Sequence, residues 1–168
     1  MSSALAEFNA LPTEKAFAQA LHFCGSESWA DSMVAGRPFG DVQAVHAAAE
    51  RLWAAATRQD RREAFAAHPL IGDVAHLRQK FATVARSEQG RVMAADEQAL
   101  AELAKLNQAY FDRHGFIFII FATGKSAAQM LAALQSRLDN STADEIENAS
   151  AEQAKITRLR INQTFLGD

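Results

Sequence analysis

The sequence predicts an all-α protein: a compact single-domain helical bundle over residues 1–168, with one irregular apolar segment, 116–123, running through its core. Three observations predict it. Helix-capping residues recur just ahead of apolar-periodic stretches, alanine is abundant while prolines number only three, and a single run resembles a strand. One strand has no second strand to satisfy its backbone groups, so it cannot make a sheet alone.

The elements follow in order. Thr13 is placed to cap a helix carrying Phe17 and Leu21 inward. Ser26 heads a second helix with Trp29 and Met33 on its inner face, stopped by Gly36. Asp41 precedes an alanine-rich helix whose inner face is Val42, Val45, Ala49, Leu52 and Trp53. Asp60 opens a short helix through Phe65 that ends near His68-Pro69, because the residue before a proline avoids the α region. Asp96 begins a long helix marked by the stripe Leu100, Leu103, Leu106 and Tyr110. Next comes Phe116-Ile117-Phe118-Ile119-Ile120-Phe121, a continuous run rich in β-branched and aromatic residues. Its backbone cannot satisfy itself internally, which makes it a candidate to bond a ligand. Ser126 to Gln129 and Ser141 to Asp144 resemble capping boxes. The second opens a charged helix that buries Ile146, Ile156, Leu159 and Phe165.

Composition narrows the class. The chain is 49% hydrophobic and 22% charged over 168 residues, which suits a globular domain with a real core rather than a disordered segment. A net charge of −3 without a dense Lys/Arg stripe gives no reason to expect nucleic acid. No apolar run approaches the roughly 20 residues that span a bilayer. Met1–Phe8 does not read as a signal peptide, and the one cysteine, Cys24, excludes an intrachain disulfide. The expectation is a cytoplasmic protein.

Several local patterns invite chemistry. Gly124-Lys125-Ser126 looks like the end of a phosphate-binding loop, but that motif needs a glycine where Ile119 stands, so a helix start capped by Ser126 is preferred. His68, Asp73 and His76 lie near one another, yet their spacing fits no metal motif and Pro69 and Gly72 break any shared helical face. No metal site is expected. Cys24 reads as core packing rather than as a nucleophile. His68 sits where a helix ends, stiffened by Pro69 and released by Gly72, and the acidic Glu88 follows downstream. A His–Glu pair that met in space could hold and accept protons near neutral pH.

Taken together, these blocks resemble the 2-oxo-4-hydroxy-4-carboxy-5-ureidoimidazoline (OHCU) decarboxylases. The resemblance rests on Cys24-Gly25-Ser26-Glu27-Ser28-Trp29-Ala30, on His68-Pro69-Leu70-Ile71-Gly72-Asp73, and on Glu88-Gln89. It continues in Gly115-Phe116-Ile117-Phe118 leading into Gly124-Lys125-Ser126, and more weakly in Ile156-Thr157-Arg158-Leu159-Arg160-Ile161. It implies an all-α homodimer, a carboxy-lyase that forms (S)-allantoin in urate catabolism without a metal or organic cofactor. It carries a proton-donor role onto His68 and its acidic partner's role onto Glu88. Substrate contacts fall on Pro69, on Ala85, Arg86, Ser87 and Gln89, on the backbone of Ile119, Ile120, Phe121, Ala122 and Thr123, and on Arg160. The chain departs from the family pattern at one point, where Ala85 stands in place of serine.

Elementary chemistry agrees with a cofactor-free reaction. The substrate's carboxylate is on C4, next to the C5 carbon of a ring C=N bond, so the imine is a built-in electron sink. On the residues alone two other classes remain open. A helical interaction module predicts a large exposed apolar face, and a nucleotide-binding protein built on Gly124-Lys125-Ser126 predicts magnesium-dependent nucleotide binding.

Overall fold

Helix-start chemistry explains most of the architecture. The computed structural model describes residues 2–69 and 93–167, and among them every regular element is an α-helix. In chain order these are α1 (Ser3–Ala10), α2 (Thr13–Phe23), α3 (Glu27–Ala35), α4 (Val42–Ala54), α5 (Arg58–Ala66), α6 (Met93–His114), α7 (Ala127–Arg137) and α8 (Thr142–Phe165). Among the described residues no helix is long and apolar enough to cross a membrane.

Ser26 accepts a hydrogen bond from the Trp29 N–H at the head of α3, and Asp41 one from Ala44 at the head of α4, as expected. Ser126 and Gln129 form a reciprocal capping box on α7. Three starts differ from the sequence reading. α2 is entered through Pro12, whose carbonyl accepts from the Ala16 N–H, so Thr13 is already helical and caps nothing. The fixed φ of proline supplies the entry that Thr13 was expected to give. α5 begins earlier than Asp60: Thr57 Oγ1 accepts from the Asp60 N–H while the Asp60 carboxylate accepts from the Thr57 N–H. Asp60 is thus the third residue of a capping box, a role that glutamate or glutamine more often fills. α6 is helical from Met93, ahead of Asp96, in keeping with the helix propensity of Met93-Ala94-Ala95.

The chain forms two compact units, residues 1–67 with 150–168, and residues 68–149. The division falls inside α8. In the first unit, Phe8, Phe23 and Phe165 pack with ring centroids 5.5 to 6.5 Å apart. Polar side chains tie loops to helices around them: Arg37 Nη1 donates to the carbonyls of Phe8 and Leu11, each at 2.8 Å. The Trp29 indole donates to the Ala49 carbonyl and the Trp53 indole to that of Ser150. The inner face of α2 is Ala16, Ala20 and Phe23, with Phe17 and Leu21 only half-buried, because small residues let this helix approach its neighbours closely. On α8 the buried stripe runs Ile146, Ala149, Gln153, Thr157, Ile161 and Phe165, leaving Ile156 and Leu159 half-buried. Two of those inward positions are polar, which is why a purely apolar reading rotated the face.

In the second unit, Leu100, Leu103 and Tyr110 of α6 are buried as expected, with Leu106 half-buried. Gly115, at φ 77°, terminates α6 and its N–H bonds the Phe111 carbonyl. That left-handed residue turns the chain into the non-helical stretch 116–123, where Phe116, Phe118 and Ile119 are buried. Tyr110 meets Phe116 and Phe118 edge-on at 5.9 and 5.3 Å. The irregular apolar segment expected from the sequence is present.

Candidate active site

α5 ends in a short turn at Ala67, whose N–H bonds the carbonyls of Glu63 and Ala64. His68 follows, half-buried, and then the exposed Pro69. The turn before His68 is fixed from the side. A Cβ on Gly25 would collide with that of Ala67, so only glycine permits this approach. Glu63 accepts a hydrogen bond from the Glu27 N–H at 2.8 Å, joining the last turn of α5 to the first turn of α3. The Cys24-Gly25-Ser26 block therefore braces the end of the helix from which His68 emerges.

The same block adjoins Arg160. Its guanidinium Nη1 donates to the His22 carbonyl at 3.1 Å, and among the described residues its other N–H groups have no acceptor. Burial lowers the Arg160 pKa, against an opposing effect of Cys24, but a guanidinium stays charged at physiological pH. Burial pushes the Cys24 thiol up to about 12, outweighing hydrogen bonds at the Ser26 backbone and Thr157 and the charge of Arg160. A neutral buried thiol is a poor nucleophile, in keeping with the packing role read from the sequence. Thr157 in turn donates to the Phe23 carbonyl and accepts from Gln153, so Arg160 lies next to a polar seam that holds α8 against the end of α2.

In the second unit the 119–123 backbone is polarised. The Ile119 carbonyl accepts from Arg137 Nη1 at 2.8 Å, the Phe121 carbonyl from Lys125 Nζ at 3.0 Å, and the Ala122 carbonyl from the Lys125 N–H at 3.0 Å. Among the described residues nothing accepts from the backbone N–H groups of Ile120, Ala122 or Thr123. The stretch thus has three of its carbonyls engaged and, among the described residues, donors to spare, which suits a ligand bearing oxygen acceptors. The phosphate-loop alternative fares poorly here. The Lys125 ammonium folds back over the Phe121 ring and carbonyl, and Ser126 is committed to the cap of α7.

Ala85, Arg86, Ser87, Glu88 and Gln89 lie outside the described residues, as do Asp73 and His76. Among the described residues no group of three or more His, Cys, Asp or Glu side chains could hold a metal ion. One constellation escaped the sequence reading. Glu145 is fully buried and accepts from the Tyr110 hydroxyl, Arg137 Nε, and the amides of Asn140 and Asn148. The sequence places Tyr110 in an apolar stripe and Glu145 in a charged helix, with no particular role for that carboxylate. The available signal was that Glu145 shares a helical face with Ala149.

A family model for OHCU decarboxylase matches residues 9–162. The uric acid degradation bifunctional protein TTL of Arabidopsis thaliana is 39% identical over 145 residues, 84% of this chain and 45% of that protein. The 2-oxo-4-hydroxy-4-carboxy-5-ureidoimidazoline decarboxylase of Haloferax volcanii is 26% identical over 129 residues, 77% of this chain and 76% of that one. The chain spans less than half of the bifunctional relatives from Arabidopsis thaliana and Bacillus subtilis, at 45% and 27% of their lengths. A crystal structure of OHCU decarboxylase in the presence of (S)-allantoin is similar at 35% identity and a TM-score of 0.71, over 87% of this chain and 96% of that one. The crystal structure of (S)-allantoin synthase shares the fold at 18% identity and a TM-score of 0.67, over 96% of this chain and 54% of that one.

Proposed function

Since the chain belongs to the OHCU decarboxylase family, matched along residues 9–162, we propose that it converts OHCU to (S)-allantoin and carbon dioxide in urate catabolism. The observation that carries the reading is that match, which takes in every block of the resemblance from Cys24 to Ile161. The likeness to an OHCU decarboxylase crystallised with (S)-allantoin supports it. The donor-rich backbone at 119–123 and the Arg160 fork are chemically suited to a small ligand rich in oxygen acceptors.

The chemistry runs as follows in this reading. The bond from C4 to the carboxylate breaks and releases carbon dioxide. Its electron pair forms a C4=C5 bond, and the C=N pair moves onto nitrogen, which takes a proton. The resulting C4 enol gives its hydroxyl proton to Glu88 while C5 takes a proton from His68 on one face. The C4 carbonyl forms and one enantiomer results. Arg160 grips an anionic or carbonyl oxygen with two N–H groups, and the 119–123 backbone, together with Pro69 and the 85–89 segment, orients the ring. The sink lies in the substrate, so the reading assigns no cofactor and no metal. It also takes the protein as a cytoplasmic homodimer.

The test is to generate OHCU in situ and follow (S)-allantoin by circular dichroism, with and without the protein. The expected result is accelerated appearance of the (S)-enantiomer signal, insensitive to exhaustive chelation. A racemic product at the uncatalysed rate would remove the reading. Normal turnover of a different ureido acid in place of OHCU would shift it to another substrate, the outcome that Ala85 in place of serine would favour.

A further inference from the structure

An ion pair with a buried carboxylate is weak evidence of stabilisation, because apolar residues of the same shape often serve as well. The Glu145–Arg137 pair therefore invites a question about what it orients. Glu145 is fully buried and its two oxygens take four hydrogen bonds, from Tyr110, Arg137, Asn140 and Asn148. Arg137 Nε meets Glu145 at 2.8 Å, its guanidinium stacks 4.5 Å over the Phe118 ring, and Nη1 holds the Ile119 carbonyl. Its Nη2 is buried and has no acceptor among the described residues. A guanidinium held on three sides with one donor left over is placed by its surroundings rather than satisfied by them.

The consequence lies in peptide geometry. The bonds of 119–123 are trans, so the C=O and N–H of each peptide plane point in opposite directions. Holding the Ile119 carbonyl toward Arg137 directs the Ile120 N–H away from it. Holding the Phe121 carbonyl toward Lys125 does the same for the Ala122 N–H. Both N–H groups are unpartnered among the described residues, and each belongs to a peptide whose carbonyl is polarised by a cation, which strengthens it as a donor.

We propose that Arg137, clamped by Glu145, is a positioning residue for the decarboxylation, aiming the Ile120 N–H, and Lys125 through the next plane the Ala122 N–H, at an oxygen acceptor of the substrate. This rests on the reading above, in which the 119–123 backbone contacts OHCU. Arg137 acts through the backbone and touches no reacting atom. Glu145 acts one step further back, by holding Arg137. The ligand chemistry is an oxygen acceptor, a carboxylate or ureido carbonyl, rather than a donor.

The test uses Arg137→Lys, which keeps the charge but cannot grip Glu145 and the Ile119 carbonyl together. A second variant, Lys125→Met, loosens the other plane without touching the buried cluster. Steady-state OHCU turnover and the amide proton shifts of Ile120 and Ala122 on titration with (S)-allantoin are measured, with melting temperature and far-UV circular dichroism as controls. The expected result for Arg137→Lys is a folded protein whose KM rises about 10-fold or more while kcat falls less, with the Ile120 shift on ligand binding lost. Lys125→Met should raise KM similarly and lose the Ala122 shift. Should Arg137→Lys fail to fold, Glu145→Gln, which unclamps Arg137 while leaving it in place, carries that arm, and an unchanged Ile120 shift and KM in it would overturn the Arg137 role. Wild-type turnover with unchanged KM and unchanged amide shifts in the folded variants would overturn the positioning role and leave the decarboxylase reading standing. A wild-type protein that makes no (S)-allantoin would remove both.

Discussion

His68 stands immediately after a braced helix end, and its role in the proposed reaction separates cleanly from a packing role. His68→Asn keeps much of the shape and polarity but cannot shuttle a proton. The expected variant is folded and loses on the order of 10²- to 10⁴-fold in kcat. A histidine that merely packs would instead lower stability by about 1–2 kcal/mol and leave turnover in the folded fraction. Measuring kcat and melting temperature on one sample distinguishes the two, and near wild-type turnover would end the assignment. At this scale the sequence was informative where a residue's role is set by its neighbours along the chain. Ser26, Asp41, Gly36 and Ser126 all do what their local patterns predicted. Arg137 and Glu145 were harder to read, because Tyr110 lies 35 positions from Glu145 and Ile119 lies 18 from Arg137, and the one local mark was the face that Glu145 shares with Ala149.

The helices show the same division between local and tertiary causes. Helix starts follow side-chain chemistry, so their strength can be measured by deleting it. Ser126→Ala removes the acceptor for the Gln129 N–H at the head of α7, and the capping box with it. The expected loss is about 1 kcal/mol in urea or thermal unfolding. No change in the unfolding midpoint would mean that tertiary contacts alone hold this helix start. Inner faces were less legible than starts. α2 packs through Ala16 and Ala20, which hydrophobicity ranks low, and α8 turns Gln153 and Thr157 inward because the seam at the end of α2 needs hydrogen bonds. The run 116–121 reads in the sequence as extended backbone or irregular helix, and it is non-helical backbone. What the pattern lacked was its polarity, since the cations that engage its carbonyls come from α7 and from the turn at Gly124.

For the whole molecule, stability should depend on acidity through the Glu145 cluster. Burial pushes this carboxyl up, but the hydrogen bonds from Asn148, Asn140 and Tyr110 and the charge of Arg137 outweigh it, so it lies below its ordinary 4.5. A carboxylate more acidic folded than unfolded contributes stability above its unfolded pKa and loses it as pH falls through the folded one. The melting temperature is expected to decline as pH drops below about 4.5, more steeply in the wild type than in Glu145→Gln, which should already be less stable at neutral pH. Parallel acid profiles for the two proteins would place the titration elsewhere. The first unit raises a different matter, that of timing. It joins residues 1–67 to 150–168, and its aromatic core needs Phe165 against Phe8 and Phe23. A chain emerging from the ribosome has made α1 to α5 long before the residues that complete their core exist. Until α8 arrives those helices must wait with apolar faces open to chaperones and proteases, whereas the second unit, contiguous from 68 to 149, has all its own segments at hand sooner.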